Sequence, residues 1–206
     1  MPPDPPRFVP EREWAGERCF ILCGGPSLRE QREHIPALKG RIIAVKQTVS
    51  LRPDADVMFV AARDDPQVCR DFFGLYQGPR IICRKAYPGF PERVLFMRRT
   101  KVADRLCTTP GILAGLDAGS SAINLAYQLG AAEIVLLGFD LSGARWFKPG
   151  EIAHPLPVPP QTHHDRYLKA VTGMAADLEA AGVKVWNASP TSAARCFEYR
   201  DLEGFL

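Results

Sequence analysis

The 206-residue sequence has no C-x-x-C pair, no long basic run and no apolar stretch of membrane-spanning length. Without a basic run the chain is unlike a dedicated nucleic-acid binder, while its mild net charge of +3 suits a small anionic ligand. The first residues also lack the basic and apolar regions of a signal peptide. We therefore expect neither export nor membrane insertion.

The six cysteines show no metal-binding or redox spacing. Three of them, Cys19, Cys23 and Cys83, lie in apolar runs that resemble strands. Small buried thiols without disulfides are typical of reducing compartments, so these positions predict a cytoplasmic protein.

Short runs rich in Val, Ile, Leu and Phe recur along the chain, at 19–23, 41–45, 56–61, 80–84, 93–97, 133–140 and 183–189. Most are continuous rather than alternating, which is typical of strands covered on both faces. Helical patterns separate several of them, most clearly at 120–131 and from about 164 to 181. This order predicts a Rossmann-like α/β fold, a mostly parallel sheet with helices on both faces.

The length fits a single domain. Prolines dominate the start of the chain, so residues 1–17 are predicted to form an extended arm and residues 18–206 the domain itself. Residues 142–164 are too long and too proline-rich for an ordinary connection, which predicts a lid-like loop. Its aromatic residues Trp146 and Phe147 could stack on a ligand or pack over the edge of the core.

The turn "CGGPSL" follows the first apolar run and precedes a helix-compatible segment. Gly24 and Gly25 allow close approach of the backbone, and Ser27 can bond a phosphate oxygen or cap the helix. The turn is therefore interpreted as an anion site, although a simple tight connection would have the same composition. It matches neither the Walker loop nor the dinucleotide fingerprint, which disfavours a classical nucleotide hydrolase or nicotinamide oxidoreductase.

Further polar residues follow other predicted strands. Ser120 and Ser121 open the strongest helix and could bind a second anionic group or act as helix caps. Asp140 ends a buried strand, where a carboxylate could bind a ribose hydroxyl, a metal or an acceptor, or cap a turn. Three more polar side chains follow the last regular strand: Asn187, Ser189 and Ser192.

The adjacent residues His163 and His164 lie at the end of the long loop. Imidazole is the side chain best suited to accept a proton from a sugar hydroxyl near neutral pH. A solvent-exposed pair at the start of a helix is the alternative. His154 and Asp165 are too irregularly spaced for a zinc pattern, so we predict no structural metal.

In combination and order, "CGGPSL", "GSSAINLAYQLGAAEIVLLGFD", the His-containing loop and "VWNASPTSA" resemble one superfamily. It joins bacterial family 42 sialyltransferases with MptE-like 6-hydroxymethylpterin diphosphokinases. The resemblance runs from about Arg18 to Phe197 and is greatest to short proteins carried by phages and prophages. It implies a nucleotide site between the glycine turn and the later loops.

The resemblance also implies residue roles. Gly24, Gly25 and Ser27 would contact the phosphate or ribose, and His163 or His164 would act as the base. The remaining residues expected near the nucleotide are Ser120, Ser121, Asp140, Asn187, Ser189 and Ser192. Two positions depart from the transferases: Cys23-Gly24 replaces glycine-asparagine, and Lys46 replaces an asparagine and adds positive charge near the phosphate.

The function predicted from the sequence is transfer from a nucleotide-activated donor. Two donors are compatible with the sequence. A CMP-sugar would give glycosyl transfer to a small-molecule or glycan acceptor. ATP would give diphosphoryl transfer, with magnesium held by carboxylates such as Asp140 and Asp64. The alternative is a non-catalytic nucleotide-binding or phage-associated interaction protein that has kept the fold.

Overall fold

A computed structural model describes residues 6–61, 66–84, 94–142, 144–148, 150–151 and 160–206. The strands are β1 (Arg18–Leu22), β2 (Arg41–Val45), β3 (Val57–Val60), β4 (Arg80–Cys83), β5 (Val94–Phe96), β6 (Arg98–Arg99), β7 (Ile112–Leu113), β8 (Glu133–Leu137), β9 (Lys184–Asn187) and β10 (Glu198–Tyr199). The α-helices are α1 (Leu28–Gln31), α2 (Pro66–Leu75), α3 (Ala118–Leu129) and α4 (Gln161–Ala180). Short 3-10 helices cover Ile35–Ala37, Lys46–Ser50 and Leu202–Phe205.

Eight strands of the described residues form one parallel sheet in the order β10-β9-β8-β1-β2-β3-β4-β5. The short strands β6 and β7 pair separately. Helices cover both faces of the large sheet. The predicted Rossmann-like α/β fold is therefore confirmed.

The two faces of the sheet have separate hydrophobic cores because successive strand residues point to opposite sides. In β1, Cys19 and Ile21 pack on the face covered by α3 and α4. Phe20 and Leu22 pack on the face covered by α1 and α2. All four side chains are fully buried, which explains why β1 is apolar at every position after Arg18.

Helix α3 ends as the sequence predicts, because Gly130 adopts the left-handed conformation with φ of 100°. Helix α4 begins at Gln161, earlier than predicted, directly after Pro160. A proline needs no amide partner at a helix start, so the helix can begin there. The end of the predicted loop at 142–164 is consequently helical, and the two histidines lie on α4.

The described part of the N-terminal segment follows the edge of the sheet. The Phe8 amide donates to the Phe96 carbonyl at 2.9 Å, and the Phe96 amide donates to the Pro6 carbonyl at 3.0 Å. Trp14 is buried, with its amide bonded to the Leu129 carbonyl at 2.7 Å. Among the described residues, no helix combines the length and apolar character needed to cross a membrane.

The order of the strands reverses at β1. From β1 the chain moves outward through β2, β3, β4 and β5, and it then returns to place β8 on the other side of β1. Leu22 at the end of β1 lies opposite Leu137 at the end of β8. In open parallel sheets, ligands bind beyond the carboxyl ends of strands at such a reversal. We therefore expect a functional site at the carboxyl ends of β1 and β8.

Candidate functional site

The glycine turn after β1 lies against the segment after β8. The Gly25 amide donates to the Gly138 carbonyl at 2.8 Å. A Cβ atom on Gly25 would lie 2.1 Å from the Asp140 Oδ2 atom and 2.5 Å from the Gly138 oxygen. Glycine is thus required at position 25 because two other parts of the chain approach its backbone closely.

A carboxylate of the chain itself occupies this turn. Asp140 Oδ2 accepts hydrogen bonds from the Ser27 hydroxyl at 2.8 Å and from the Ser27 amide at 3.2 Å. Its Oδ1 accepts a hydrogen bond from Thr191 Oγ1 at 3.0 Å. Asp140 is only 1% exposed, so this set of donors stabilises a buried carboxylate. The sequence predicted an anion at the turn but did not identify Asp140 as one, and it missed Thr191.

The residues after β9 fix the segment that carries Asp140. Ser189 Oγ accepts from the Phe139 amide at 2.9 Å, and Ser192 Oγ donates to the Phe139 carbonyl at 2.6 Å. Asn187 Oδ1 accepts from the Ser189 amide at 3.0 Å. These three predicted site residues are thus brought beside Asp140. The buried Asn187 Nδ2 has no hydrogen-bond partner among the described residues, which leaves a donor at this site.

The start of α3 forms a second polar cluster. Asp117, rather than a serine, is the N-cap, and it accepts from the Gly119 amide at 2.8 Å and bonds to the Ser120 hydroxyl. Ser121 Oγ donates to the Asp117 carbonyl at 2.8 Å. Arg84, which follows β4, donates to Ser121 Oγ at 2.6 Å. Ser120 and Ser121 therefore bond within the chain, and the buried Arg84 is a residue that sequence reasoning missed.

Cys23 links the two clusters at the end of β1. Burial raises the pKa of its thiol well above the ordinary value, and the charges of Asp117 and Asp140 raise it further. The thiol consequently stays protonated at neutral pH. Burial therefore disfavours the reactive thiolate form of Cys23.

Helix α4 places its two histidines differently. His163 is exposed, whereas His164 is only 5% exposed and its Nδ1 atom has no hydrogen-bond partner in the described part of the chain. Both rings lie near Tyr167, with centroid distances of 6.2 Å and 6.1 Å. Burial, and next the charge of Asp117, raise the pKa of Tyr167, so its phenol is neutral at pH 7. His164 is therefore the better candidate of the two for a shielded base.

Lys46 begins the segment after β2 in a strained conformation, with φ of 56°. Leu141, one residue after Asp140, has φ of 51°. Left-handed backbone at non-glycine residues costs on the order of 1–3 kcal/mol and concentrates at functional sites. Lys46 and Leu141 follow strands at the carboxyl edge of the sheet, the edge that carries Asp140, whereas Arg12, with φ of 58°, lies in the N-terminal segment.

Part of the predicted lid is packed against the protein. Trp146 and Phe147 are buried in the core, with their rings edge to face at 5.6 Å. The Trp146 amide donates to the Gly24 carbonyl at 3.4 Å, and Arg29 Nε donates to the Trp146 carbonyl at 2.8 Å. Core packing is thus their observed role. Residues 143, 149 and 152–159 of the predicted lid lie outside the described residues, as does Asp64.

The part of the chain that the structure describes contains no cluster of three or more His, Cys, Asp or Glu side chains that could hold a metal ion. The five described cysteines are free thiols, and three of them are buried: Cys19, Cys23 and Cys83.

Comparison with solved structures found matches over most of the chain. The sialyltransferase CstII from Campylobacter jejuni, solved with cytidine-5'-monophosphate, has a TM-score of 0.55 at 14% identity and covers 90% of this chain and 85% of its own. The sialyltransferase Cst-II with a trisaccharide acceptor and CMP has a TM-score of 0.53 at 15% identity, covering 88% and 85%. The chain shares the fold of these sialyltransferases. No protein-family model and no curated protein sequence matched the chain.

The bonds from Ser27 to Asp140 predict a measurable loss of stability in Ser27→Ala. Removal of the hydroxyl leaves a buried carboxylate with fewer donors, which costs about 1–3 kcal/mol in the free energy of unfolding. Urea denaturation at pH 7 measures this loss. Ser142→Ala is the control, because that exposed serine forms no hydrogen bond to the described residues and should change stability by less than about 0.5 kcal/mol. Equal stability of the two variants would show that the bond to Asp140 contributes nothing.

Proposed function

We propose that this protein is a glycosyltransferase that uses a CMP-sugar as donor and a glycan hydroxyl as acceptor. The observation that carries the proposal is the position of the Asp140 carboxylate, which accepts hydrogen bonds from Ser27 and Thr191. It lies where the order of the strands reverses, in a fold that the chain shares with CMP-bound sialyltransferases. Asp140 is buried and its two oxygens already accept hydrogen bonds from Ser27 and Thr191, so it is assigned the role of holding the glycine turn against the segments after β8 and β9, on which the nucleotide would lie.

The neighbouring residues are assigned to the same nucleotide. The Asn187 amide group and the segment from Ser189 to Ser192 lie beside Asp140, so they would contact the ribose or the base. Gly24 leaves the first residue of the turn without a side chain, whereas the backbone of Gly25 is covered by Asp140 and Gly138. The positive charges of Lys46, Arg84 and Arg145 at this edge offset the negative charge of the donor.

In the proposed reaction, the acceptor oxygen attacks the anomeric carbon of the donor sugar. The bond from that carbon to the phosphate oxygen breaks, and CMP leaves with the bonding electron pair. The hydroxyl proton passes to His164, whose buried Nδ1 has no partner among the described residues. His163 is the alternative base.

The experiment that tests the donor is a thermal-shift comparison of CMP, CDP, CTP, ATP, GTP and UDP, each with and without magnesium. CMP at 100 times its Kd stabilises the native state by about 2.7 kcal/mol, which raises Tm by roughly 5–10 °C for a chain of this size. A cytidine-selective shift without magnesium is the expected result. A magnesium-dependent ATP shift would instead support the diphosphokinase alternative, and no shift with any nucleotide would reject both enzymes.

A further inference from the structure

The hydrogen-bond donors of the glycine turn are already used within the chain. The Gly25 amide bonds to Gly138, and both the amide and the hydroxyl of Ser27 bond to the Asp140 carboxylate. A phosphate placed on these donors would compete with a buried carboxylate and would be repelled by its charge. The phosphate of a nucleotide therefore needs a cationic partner elsewhere along this edge of the sheet.

The guanidinium of Arg145 lies beside the first glycine of the turn. A Cβ atom on Gly24 would be 3.5 Å from Arg145 Nη1, which is ordinary contact distance. The guanidinium therefore lies next to the backbone of the turn at the end of β1. We propose that Arg145 is the residue that binds the donor phosphate, an inference that rests on the proposed function.

The structure holds Arg145 in place through its neighbour Trp146. The Trp146 amide donates to the Gly24 carbonyl at 3.4 Å. The Trp146 carbonyl accepts from Arg29 Nε at 2.8 Å. The Trp146 ring is 6% exposed and belongs to the core on the α1 face. A cation fixed by a packed neighbour loses little conformational freedom when it binds an anion, which favours affinity.

Charges of both signs act on helix α4. Burial and the charge of Asp117 raise the pKa of the Tyr167 phenol, whereas the charges of Arg166, Arg84 and Arg145 lower it. Arg84 bonds to the Gly115 carbonyl at 2.9 Å and to Ser121, and it thereby fixes the start of α3. Of these arginines, Arg145 adjoins the turn. Its planar guanidinium can bind two phosphate oxygens at once.

The experiment compares CMP with cytidine, which differ only in the phosphate, by isothermal titration calorimetry of the full chain. We expect the wild type to bind CMP more tightly than cytidine. Arg145→Gln should weaken CMP binding roughly ten- to a hundredfold and leave cytidine binding unchanged. Lys148→Gln is the matched control, because it removes the same charge from an exposed residue of the same segment and should leave both affinities unchanged.

Each result decides between the two proposals. If the wild type prefers CMP and Arg145→Gln keeps that preference, the assignment of Arg145 is wrong while the nucleotide site stands. If the wild type binds neither ligand, the proposed function itself is overturned. Arg145→Lys keeps the proposal testable if the glutamine variant does not fold. Lysine keeps the positive charge but cannot contact two phosphate oxygens at once, so the preference of this variant for CMP should be intermediate.

Discussion

Gly25→Ala is expected to lower the free energy of unfolding by on the order of 3 kcal/mol, which corresponds to a fall in Tm of roughly 6–12 °C. The added methyl group would lie 2.1 Å from Asp140 Oδ2 and 2.5 Å from the Gly138 carbonyl oxygen. The carboxylate could rotate away only by giving up its bonds to Ser27 and Thr191, and the backbone oxygen cannot rotate away at all. Thermal and urea denaturation of the purified variant measure the loss.

Gly74→Ala is the matched control for this variant. A Cβ atom on Gly74 meets nothing within 4 Å, and the residue lies in helix α2, so alanine should be neutral or stabilise by about 0.5–1 kcal/mol. The double variant Gly25→Ala/Asp140→Ala separates the two contacts. It should remain less stable than Asp140→Ala alone, because the contact with Gly138 persists. Wild-type stability of Gly25→Ala would contradict the close approach of β1 and β8.

Seven of the eight strands described in the large sheet were predictable because each is a local pattern. A strand covered on both faces must be apolar along its length, and β2 has the bounds predicted from its apolar run, Arg41–Val45. Gly130 marked the end of α3 because glycine adopts the left-handed conformation without steric cost. Strands β6, β7 and β10 are two residues long, too short for any periodic signal, and they were missed.

The site was less predictable because its contacts depend on the order of the strands. Ser27 and Asp140 are 113 residues apart in the sequence, and each follows a strand by a few residues. Only the pairing of β1 with β8, with Leu22 opposite Leu137, brings the serine to the carboxylate. A sequence shows which residues follow strands, but many strand orders satisfy the same pattern.

Single polar residues after strands were the hardest to identify. Thr191 lies between two serines that were both named as site residues, yet only its hydroxyl reaches Asp140 Oδ1. Arg84 ends an apolar run and looks like the polar boundary of a strand, although it is buried and bonds to Ser121. A buried arginine cannot be distinguished from an exposed one by sequence pattern, because both follow the last apolar residue.

His164→Ala is expected to reduce glycosyl transfer roughly a hundred- to ten-thousandfold while CMP binding stays within a few fold of the wild type. In the proposed reaction, removal of this base slows proton transfer from the acceptor, whereas the residues proposed to contact the nucleotide are unchanged. The measurement is release of CMP from CMP-NeuAc in the presence of an oligosaccharide acceptor, with CMP affinity measured in parallel.

Added imidazole separates a chemical role of His164 from a structural one. The side chain is 5% exposed, so its removal leaves a cavity that free imidazole can enter, and the transfer rate should recover in part. Lys169→Ala, an exposed change on the same helix, should transfer at the wild-type rate. If His163→Ala lost transfer activity and His164→Ala kept it, the general base would be His163, whose ring is exposed. A His164→Ala variant that lost activity and melted at a lower temperature, without rescue by imidazole, would make His164 a packing residue of α4.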